Sequence, residues 1–447
     1  MARGAVWENR RLPVRILLAH NSAYYPSFGG GDKSNRLLMA ALTARGHEVR
    51  VLARLAEFGP HVHERLVEAL ESRSVSRCVA HDSVQFELDG ASIAVFTRGR
   101  SLRNWVAAGM CEFHPDVILT STDDPAHLML GAALRAAQAR VVYLIRAIIA
   151  LPFGPATPFR SKIKSEALRH TDGSVAVSEY VAEYARKWGG LKTVHLPISL
   201  PDRTEYPDLG RFENRFVTMV NPCAGKGLSI FLRLAEGFPG VEFAAVPSWG
   251  TTQADLAALR RHANISVLEP DDDIDRIFRQ TRIALVPSLW AEARSRIILE
   301  AMARGIPVLA SDVGGSAEAM LGMDYLLPVN PILRYRPTLD ELMVPVVDVP
   351  EQELGPWARA LERLLCDRAH YEDLSRRARA AALSYAGSVS VASFESYLRD
   401  VVSSPRRLHT PPEQPEVSVR HPIHGLSVEK RRLLAMRLKR ARKRKTE

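Results

Sequence analysis

Short apolar runs alternate with segments of helical periodicity along the first half of the chain. The first unit consists of an apolar run at 14–18, a glycine-rich turn at 28–31, an amphipathic segment at 34–45 and a second apolar run at 51–52. This order predicts a strand, a loop, a helix and a second strand. Further apolar runs follow at 94–96, 117–119, 141–144 and 174–177. Because strands that alternate with helices form parallel sheets, we predict a doubly wound α/β domain.

The second half repeats this pattern after an interruption. The stretch 201–207 is polar and carries two prolines, which predicts an inter-domain linker. A new series of apolar runs then begins, at 216–220, 243–246, 265–268, 283–286 and 308–310. We therefore predict two Rossmann-like domains in tandem, with a ligand cleft at the carboxyl ends of their strands.

The same patterns predict the domain boundaries. We expect a disordered N-terminus at 1–13, a first Rossmann-like domain at 14–205, a second at 206–385 and a closing helix at 386–403. The remaining segments are predicted to be a proline-rich linker at 404–426 and a basic tail at 427–447 that carries a helix-start signal.

Charge is distributed unevenly along the chain. Apolar residues make up 46% of the 447 residues, which is typical of a soluble enzyme. The net charge is +10, but the segment 427–447 alone contains ten Lys and Arg against two Glu. The rest of the chain is nearly neutral, so we expect no specific nucleic-acid partner.

The sequence shows no secretory signal, no apolar run of bilayer length and no metal-binding spacing among its four cysteines. These features predict a cytoplasmic protein, at most peripheral to a membrane, without a structural metal. The acidic triplet at 271–273 is interpreted as a helix N-terminus rather than a metal site, because acidic side chains stabilise that end of a helix.

The segment 286–320 carries the most specific pattern of the sequence. Its elements are Pro287-Ser288, Glu292 and Glu300 eight positions apart, Gly-Ile-Pro-Val at 305–308, and Gly314-Gly315 with Glu318. Ser295 stands where a helix N-cap is expected, before an apolar helical pattern at 296–302. The free N–H groups at such a helix start suit a diphosphate, and Arg294 or Arg296 would add positive charge.

This ordered set resembles the C-terminal half of the family-4 retaining glycosyltransferases, which have the GT-B fold of two Rossmann-like domains facing across a cleft. The resemblance extends, less strongly, over residues 14–402. It implies that Glu300 accepts hydrogen bonds from the nucleotide ribose and that Glu292 meets hydroxyls of the donor sugar. The alternative for Glu300 is a solvent-facing helical residue paired with an arginine, and for Glu318 it is the start of a surface helix.

A second match to this family lies at 221–227. Lys226-Gly227 fits the family's Gly-Arg…Lys-Gly element, whose basic residues neutralise the donor diphosphate, but Asn221 occupies the arginine position. Arginine and asparagine are not equivalent at a phosphate site, so Lys226 would carry more of the charge. The donor-binding residues expected from the resemblance are Gly30, Gly31, Asn221, Lys226, Arg294, Ser295, Arg296, Ile297 and Glu300.

The first domain would face the acceptor, and it matches the family less closely. A histidine that many members carry after the Pro-Asp-Val strand is missing, and Arg146 stands where relatives often have a histidine. Candidates for the missing role are Asp123, Asp124, His127 and Arg146, each of which can equally be a helix cap or a surface residue. His47 is expected to be a turn residue. The catalytic candidates are therefore Lys226, Glu292, Arg146 and Asp123.

The resemblance implies a hexosyltransferase that moves a sugar from a nucleoside-diphosphate sugar, with UDP-sugars first, to an acceptor hydroxyl. It further implies that the anomeric configuration is retained and that the enzyme needs neither a metal nor a cofactor. Two alternatives stay open. A nucleotide-sugar epimerase shares the architecture, although the Glu292/Glu300 pattern argues against it. A catalytically degenerate scaffold is suggested by Asn221 and the missing histidines.

The basic tail has three competing interpretations. Residues 426–434 faintly resemble the leader helix that precedes condensation domains in peptide-synthetase assembly lines. That resemblance implies an assembly-line partner and a role in natural-product biosynthesis. A basic helix would also suit an anionic membrane surface or nonspecific nucleic-acid contact. The third interpretation is a solvated tail without a partner.

Overall fold

A computed structural model describes residues 12–27, 29–55, 62–97, 101–136, 138–271 and 273–405. Most of the predicted N-terminal segment, most of the predicted linker and all of the predicted basic tail lie outside these residues. Within these ranges, no helix combines the length and the apolar character that a membrane crossing needs.

The first sheet is built from the first half of the chain. Its strands are β1 (Arg15–Ala19), β2 (Glu48–Arg54), β3 (Arg77–Val79), β4 (Ser83–Leu88), β5 (Ala91–Phe96), β6 (Val117–Ser121), β7 (Arg140–Ile145), β8 (Gly173–Ala176) and β9 (Thr193–His195). Their spatial order is β3-β4-β5-β2-β1-β6-β7-β8-β9. Only β4 pairs antiparallel with its neighbours, β3 and β5. The parallel part confirms the predicted doubly wound domain, whereas the β3–β4 pair was not predicted.

Around this sheet lie six described α-helices, the last of which is followed by a π-helical turn at Ala185–Gly189. They are α1 (Gly30–Ala44), α2 (Val62–Ser72), α3 (Leu102–Phe113), α4 (Leu128–Arg135), α5 (Lys162–Arg169) and α6 (Glu179–Tyr184). The predicted glycine turn at 28–31 is wrong in its extent, because Gly30 and Gly31 form the first turn of α1. Gly29 is the N-cap and has an extended backbone. Glycine is accepted at an N-cap, whereas its conformational freedom makes it unfavourable inside a helix.

The second sheet follows with the strands β10 (Phe216–Val220), β11 (Phe243–Val246), β12 (Ile265–Val267), β13 (Thr281–Val286), β14 (Val308–Ser311) and β15 (Leu326–Leu327). All neighbours are parallel, in the order β12-β11-β10-β13-β14-β15. The associated helices are α7 (Leu228–Gly237), α8 (Gln253–Leu259), α9 (Ile274–Phe278), α10 (Arg296–Ala303) and α11 (Ser316–Met320). Alternate residues of β13 enter two separate apolar clusters, since Leu285 lies in one and Val286 in the other. Both faces of the sheet are therefore covered, as predicted.

The last described helices return to the first sheet. A hairpin of β16 (Tyr335–Leu339) and β17 (Pro345–Val347) precedes α12 (Gly355–Cys366), α13 (Arg368–Ser388) and α14 (Ala392–Ser403). The predicted closing helix is not continuous, because α13 ends at Ser388 and α14 begins at Ala392. Phe394 and Leu398 of α14 are buried in the core of the first sheet. The carboxylate of Glu395 in α14 also lies 3.3 Å from Nε2 of His47.

Candidate functional site

Loops at the carboxyl ends of the strands of both sheets meet at one junction, which we call the cleft. The β1–α1 loop of the first sheet reaches the second sheet at two positions. A side chain at Gly29 would lie 3.0 Å from the ring of Trp249, and one at Gly30 would lie 3.3 Å from Cδ of Arg296. Trp249 follows β11 and Arg296 begins α10, so the glycines permit close approach of the two domains.

Lys226 and Glu292 form a close ion pair on the second-sheet side of the cleft. The Lys226 Nζ atom lies 2.5 Å from Oε1 of Glu292. The same carboxylate oxygen accepts hydrogen bonds from Ser288 Oγ at 2.5 Å and from Trp290 Nε1 at 3.2 Å. Burial alone would raise the pKa of Glu292, but the Lys226 ammonium and these hydrogen bonds outweigh burial and lower it. Glu292 is therefore a fixed carboxylate.

Tight backbone packing holds Lys226 in place. Lys226 ends a single 3₁₀ turn, Ala224–Lys226, directly after β10. The next residue, Gly227, has a φ of 85°, and a Cβ there would lie 1.8 Å from the carbonyl oxygen of Pro287. Only glycine fits this conformation and this space. The Lys-Gly pair singled out in the sequence is thus needed to bring the turn after β10 against the loop after β13.

Ser295 is the N-cap of α10, as predicted, but its side chain makes no capping hydrogen bond. The first N–H groups of a helix have no intrahelical partner. At α10 these groups, including that of Ile297, are therefore available to an anionic ligand beside the Lys226–Glu292 pair.

Glu300 lies on the second turn of α10 and is shared by two cations. Its Oε1 atom lies 3.1 Å from Arg296 and 3.2 Å from Nζ of Lys33 in the first domain. Lys33 also contacts Asp202 at 2.8 Å, in the segment that joins the two sheets. The pairing with Arg296 matches the alternative weighed for Glu300, but the residue is mostly buried at the cleft rather than solvent-facing.

The two arginines near the start of α10 differ in their contacts. Arg296 donates to Ser34 Oγ at 3.2 Å and to the carbonyl of Leu200 at 3.0 Å, across the cleft. Arg294 instead stacks 4.4 Å from the centre of the Tyr385 ring and donates to the carbonyl of Glu318 at 3.4 Å. Of the two arginines, Arg296 is the one that bridges the two domains.

Asn221 follows β10 in a left-handed conformation, with a φ of 59°, which asparagine tolerates better than most residues. Its Oδ1 atom accepts a hydrogen bond from the backbone of Gly250 at 3.0 Å. The buried Nδ2 atom has no hydrogen-bond partner in the described part of the chain. Asn221 therefore offers an N–H group, but not the charge of the arginine expected from the resemblance.

Trp249 adds an aromatic surface that the sequence did not reveal. Its ring stacks on that of Trp290, with centroids 6.0 Å apart and planes inclined by 5°. Trp249 remains 40% exposed. The stacked pair lies beside the Lys226–Glu292 pair, because Trp290 donates to Glu292.

His20 lies between two carboxylates at the carboxyl end of β1. Its Nδ1 atom is 3.0 Å from Asp123 and its Nε2 atom is 3.2 Å from Asp32. Burial by itself would lower the pKa of His20, but Asp123 and Asp32 outweigh it and raise the pKa to about 10. A buried imidazolium therefore stands on the first-sheet side of the cleft. The carboxylate of Asp123, a catalytic candidate from the sequence, is already paired with His20.

Arg146 follows β7 and joins the same network. Its Nε atom donates to Asn35 Oδ1 at 2.8 Å. The amide nitrogen of Asn35 in turn contacts His20 at 3.4 Å and Ser121 at 3.3 Å. The structure thus brings Arg146 and Asp123 together, although they come from different loops.

Of the other first-domain candidates, Asp124 has a structural role. Asp124 accepts the N–H groups of Leu128, Met129 and Leu130, so it caps α4. Burial lowers the pKa of His127 to about 4, and neither ring nitrogen has a partner among the described atoms. His47 accepts the N–H group of Val14 at 3.0 Å, as expected of a turn residue.

Glu318 forms a second contact between the domains. Its carboxylate accepts the backbone N–H groups of Glu179 at 3.0 Å and Tyr180 at 2.8 Å, at the start of α6. Ser178, the N-cap of α6, donates to the carbonyl of Ala293 at 2.6 Å. Glu318 is therefore an inter-domain helix cap rather than the start of a free surface helix.

Sequence reasoning missed His20, Lys33, Asn35, Asp202 and Trp249. His20 and Trp249 each follow a strand of a parallel sheet, where ligand sites form, so their positions were a usable signal. Lys33 and Asp202 gave none, because their pairing depends on how the two domains approach each other.

Comparisons with known proteins agree with this arrangement. The family model described as Glycosyltransferase Family 4 matches residues 28–197, and the one described as Glycosyl transferases group 1 matches residues 227–332. An exopolysaccharide phosphotransferase of Streptomyces coelicolor is 28% identical over 157 residues, which are 34% of this chain and 14% of that protein. The chain thus spans a small part of that relative.

Solved structures share the fold over most of this chain. A sucrose-phosphate synthase from Thermosynechococcus elongatus has a TM-score of 0.64 and 15% identity, covering 87% of this chain and 100% of that chain. The Anabaena HepE protein in complex with UDP and glucose has a TM-score of 0.60 and 18% identity, covering 88% and 100%. At these identities the likeness shows the fold, which is GT-B.

Proposed function

We propose the following function for this chain, which belongs to glycosyltransferase family 4 and has the GT-B fold. It transfers a sugar from a nucleoside-diphosphate sugar to an acceptor hydroxyl with retention of the anomeric configuration. The observation that carries the proposal is the Lys226–Glu292 pair, 2.5 Å apart, beside the uncapped start of α10.

On the donor side, Lys226 and the first N–H groups of α10 would bind the diphosphate, with Arg296 adding charge nearby. Cationic side chains and a helix start stabilise the charge that develops on a leaving diphosphate. Because these groups already supply positive charge, we propose that no metal and no cofactor is required. Glu292 would accept hydrogen bonds from the sugar hydroxyls, and Glu300 from the ribose.

In the reaction, the bond between the anomeric carbon and the diphosphate oxygen breaks, and a bond to the acceptor oxygen forms. The acceptor proton passes to the departing diphosphate, so atoms and charge balance. The first domain would present the acceptor, and the contacts between the two domains would exclude water from the reacting carbon. UDP-sugars are the first donors to test, since the HepE structure contains UDP.

The test is a donor panel of UDP-, GDP- and dTDP-sugars, with release of the nucleoside diphosphate measured with and without EDTA. We expect turnover that EDTA does not reduce. We also expect it to fall at least about tenfold in Lys226→Ala and Glu300→Ala, because each removes a charged hydrogen bond. The exposed Lys192 and Glu362 provide matched control variants. Wild-type turnover in both site variants would refute the site, and an inverted anomeric signal in NMR would refute retention.

A catalytically degenerate scaffold is the second candidate, and Asn221 favours it because asparagine cannot replace a charged arginine. Under this alternative the protein binds nucleoside diphosphates weakly or not at all, and no donor of the panel turns over. A role in natural-product or glycoconjugate biosynthesis belongs to the first candidate and is tested by the acceptor that the enzyme accepts.

A further inference from the structure

Arg146 carries a positive charge that has only neutral acceptors. Its guanidinium donates to the amide oxygen of Asn35 at 2.8 Å, to the carbonyl of Ile198 at 3.3 Å and to Ser199 Oγ at 3.4 Å. One terminal nitrogen is buried without a hydrogen-bond partner among the described residues. A partly buried cation without a counter-ion is costly, so such groups usually serve a ligand.

The carboxylate that attracts Arg146 is already engaged. Asp123 pairs with His20 at 3.0 Å and accepts the backbone N–H group of Asn21 at 2.6 Å. Its other oxygen accepts a hydrogen bond from Ser121. Asp123 therefore balances the imidazolium rather than the guanidinium.

A second arginine approaches the same place from the other domain. Arg296 donates to Ser34 Oγ at 3.2 Å, Arg146 donates to Ser199 Oγ at 3.4 Å, and the two hydroxyls lie 3.4 Å apart. Burial and the nearby charge of Arg296 lower the pKa of Arg146 to about 9. Two like charges held close together would be stabilised by an anion.

We propose that Arg146 binds an anionic group of the donor, either the diphosphate or a carboxylate on the transferred sugar. This inference rests on the proposed function. The planar guanidinium matches both groups, since each presents two oxygens to its parallel N–H bonds. If the diphosphate is the anion, the first domain supplies the positive charge that Asn221 does not supply from the second.

The test is calorimetric titration of the full chain with UDP, UDP-glucose and UDP-glucuronic acid. If the diphosphate is the anion, Arg146→Met weakens binding of all three ligands at least about tenfold, because a charged hydrogen bond is lost. If the sugar carboxylate is the anion, only UDP-glucuronic acid is affected. Arg146→Lys keeps the charge and should give a smaller loss. The exposed Arg103 provides a matched control, Arg103→Met.

Thermal unfolding without ligand separates this role from a structural one. Arg146→Met loses three hydrogen bonds but also removes an unpaired charge, so the midpoint should change little, whereas a purely structural role would lower it without changing the affinity of the folded protein. The proposal is overturned if Arg146→Met and Arg146→Lys bind all three ligands within about twofold of wild type, since a lost charged hydrogen bond costs more. Failure of the wild type to bind any of them would instead overturn the proposed function itself.

Discussion

At the scale of single residues, Glu300 gives the sharpest test of nucleotide recognition. It is held by Lys33 and Arg296, so its carboxylate is fixed at the cleft. If it accepts hydrogen bonds from both ribose hydroxyls, wild type should bind UDP about tenfold more tightly than 2′-deoxy-UDP. Glu300→Ala should remove this discrimination and Glu362→Ala should keep it. Calorimetry measures both, and discrimination that survives in Glu300→Ala would show that the ribose lies elsewhere.

His20 predicts a pH dependence of stability. Its pKa is about 10 in the folded protein against 6.5 for an ordinary histidine. The protonated ring therefore contributes its full stabilisation below pH 6.5 and loses it as the pH rises towards 10, by at most about 1.4 kcal/mol per pH unit. We expect the wild-type melting temperature to fall between pH 7 and 10.

The control for this titration is the exposed His63. In His20→Gln the decline with pH should be shallower, because no buried ring loses a proton, whereas His63→Gln should follow wild type. Equal slopes in wild type and His20→Gln would mean that His20 is neutral in the folded protein.

Single residues also show where sequence reasoning stops. The Lys226-Gly227 pair and the two glutamates could be assigned because each lies in a short local pattern. The charge of His20 could not, since its partners, Asp32 in α1 and Asp123 after β6, meet it only after the sheet has formed.

At the scale of elements, α6 is capped partly by its own Ser178 and partly by the other domain. Glu318 accepts two of its first N–H groups. Glu318→Ala should lower the free energy of unfolding by about 1–2 kcal/mol, because the cap and its charge at the helix start are both lost. Glu318→Gln should retain part of this. Denaturant unfolding measures the change, and a loss no larger than that of Glu362→Ala would contradict the cap.

Elements built on continuous apolar runs were predictable, and short or mixed ones were not. The central strands are buried on both faces, so their sequences are continuous apolar stretches. By contrast, β4 alternates buried and exposed residues and β3 is fully exposed, so neither has such a run. The start of α1 was misplaced because three consecutive glycines suggest a turn. In the structure Gly30 is part of the helix, and its missing side chain leaves room for Arg296.

At the scale of the whole molecule, Lys33 joins the two domains through Asp202 and Glu300. Lys33→Met leaves the two mostly buried carboxylates with less compensating charge. It should weaken the contact between the two domains by about 1–2 kcal/mol. We expect a larger radius of gyration by X-ray scattering without ligand and recovery of the wild-type value on adding UDP. Lys192→Met serves as the control, and identical scattering curves for the three proteins would contradict this role.

The two-domain GT-B architecture was predictable because each sheet has its own alternating pattern. How the domains contact each other was not, since Lys33, Glu318 and Arg296 pair with residues that only the folded arrangement brings near. The donor site that we propose beside α10 is where the local sequence pattern and the Lys226–Glu292 contact coincide.

The most direct measurement of that claim is the affinity of the full chain for UDP and GDP, determined by calorimetry for wild type, Lys226→Ala and the control Lys192→Ala. We expect wild type and Lys192→Ala to bind at least one of these nucleotides equally. We expect Lys226→Ala to bind that nucleotide at least about tenfold more weakly, because a cation that binds the diphosphate is lost. Equal binding by Lys226→Ala and wild type would show that Lys226 does not bind the diphosphate.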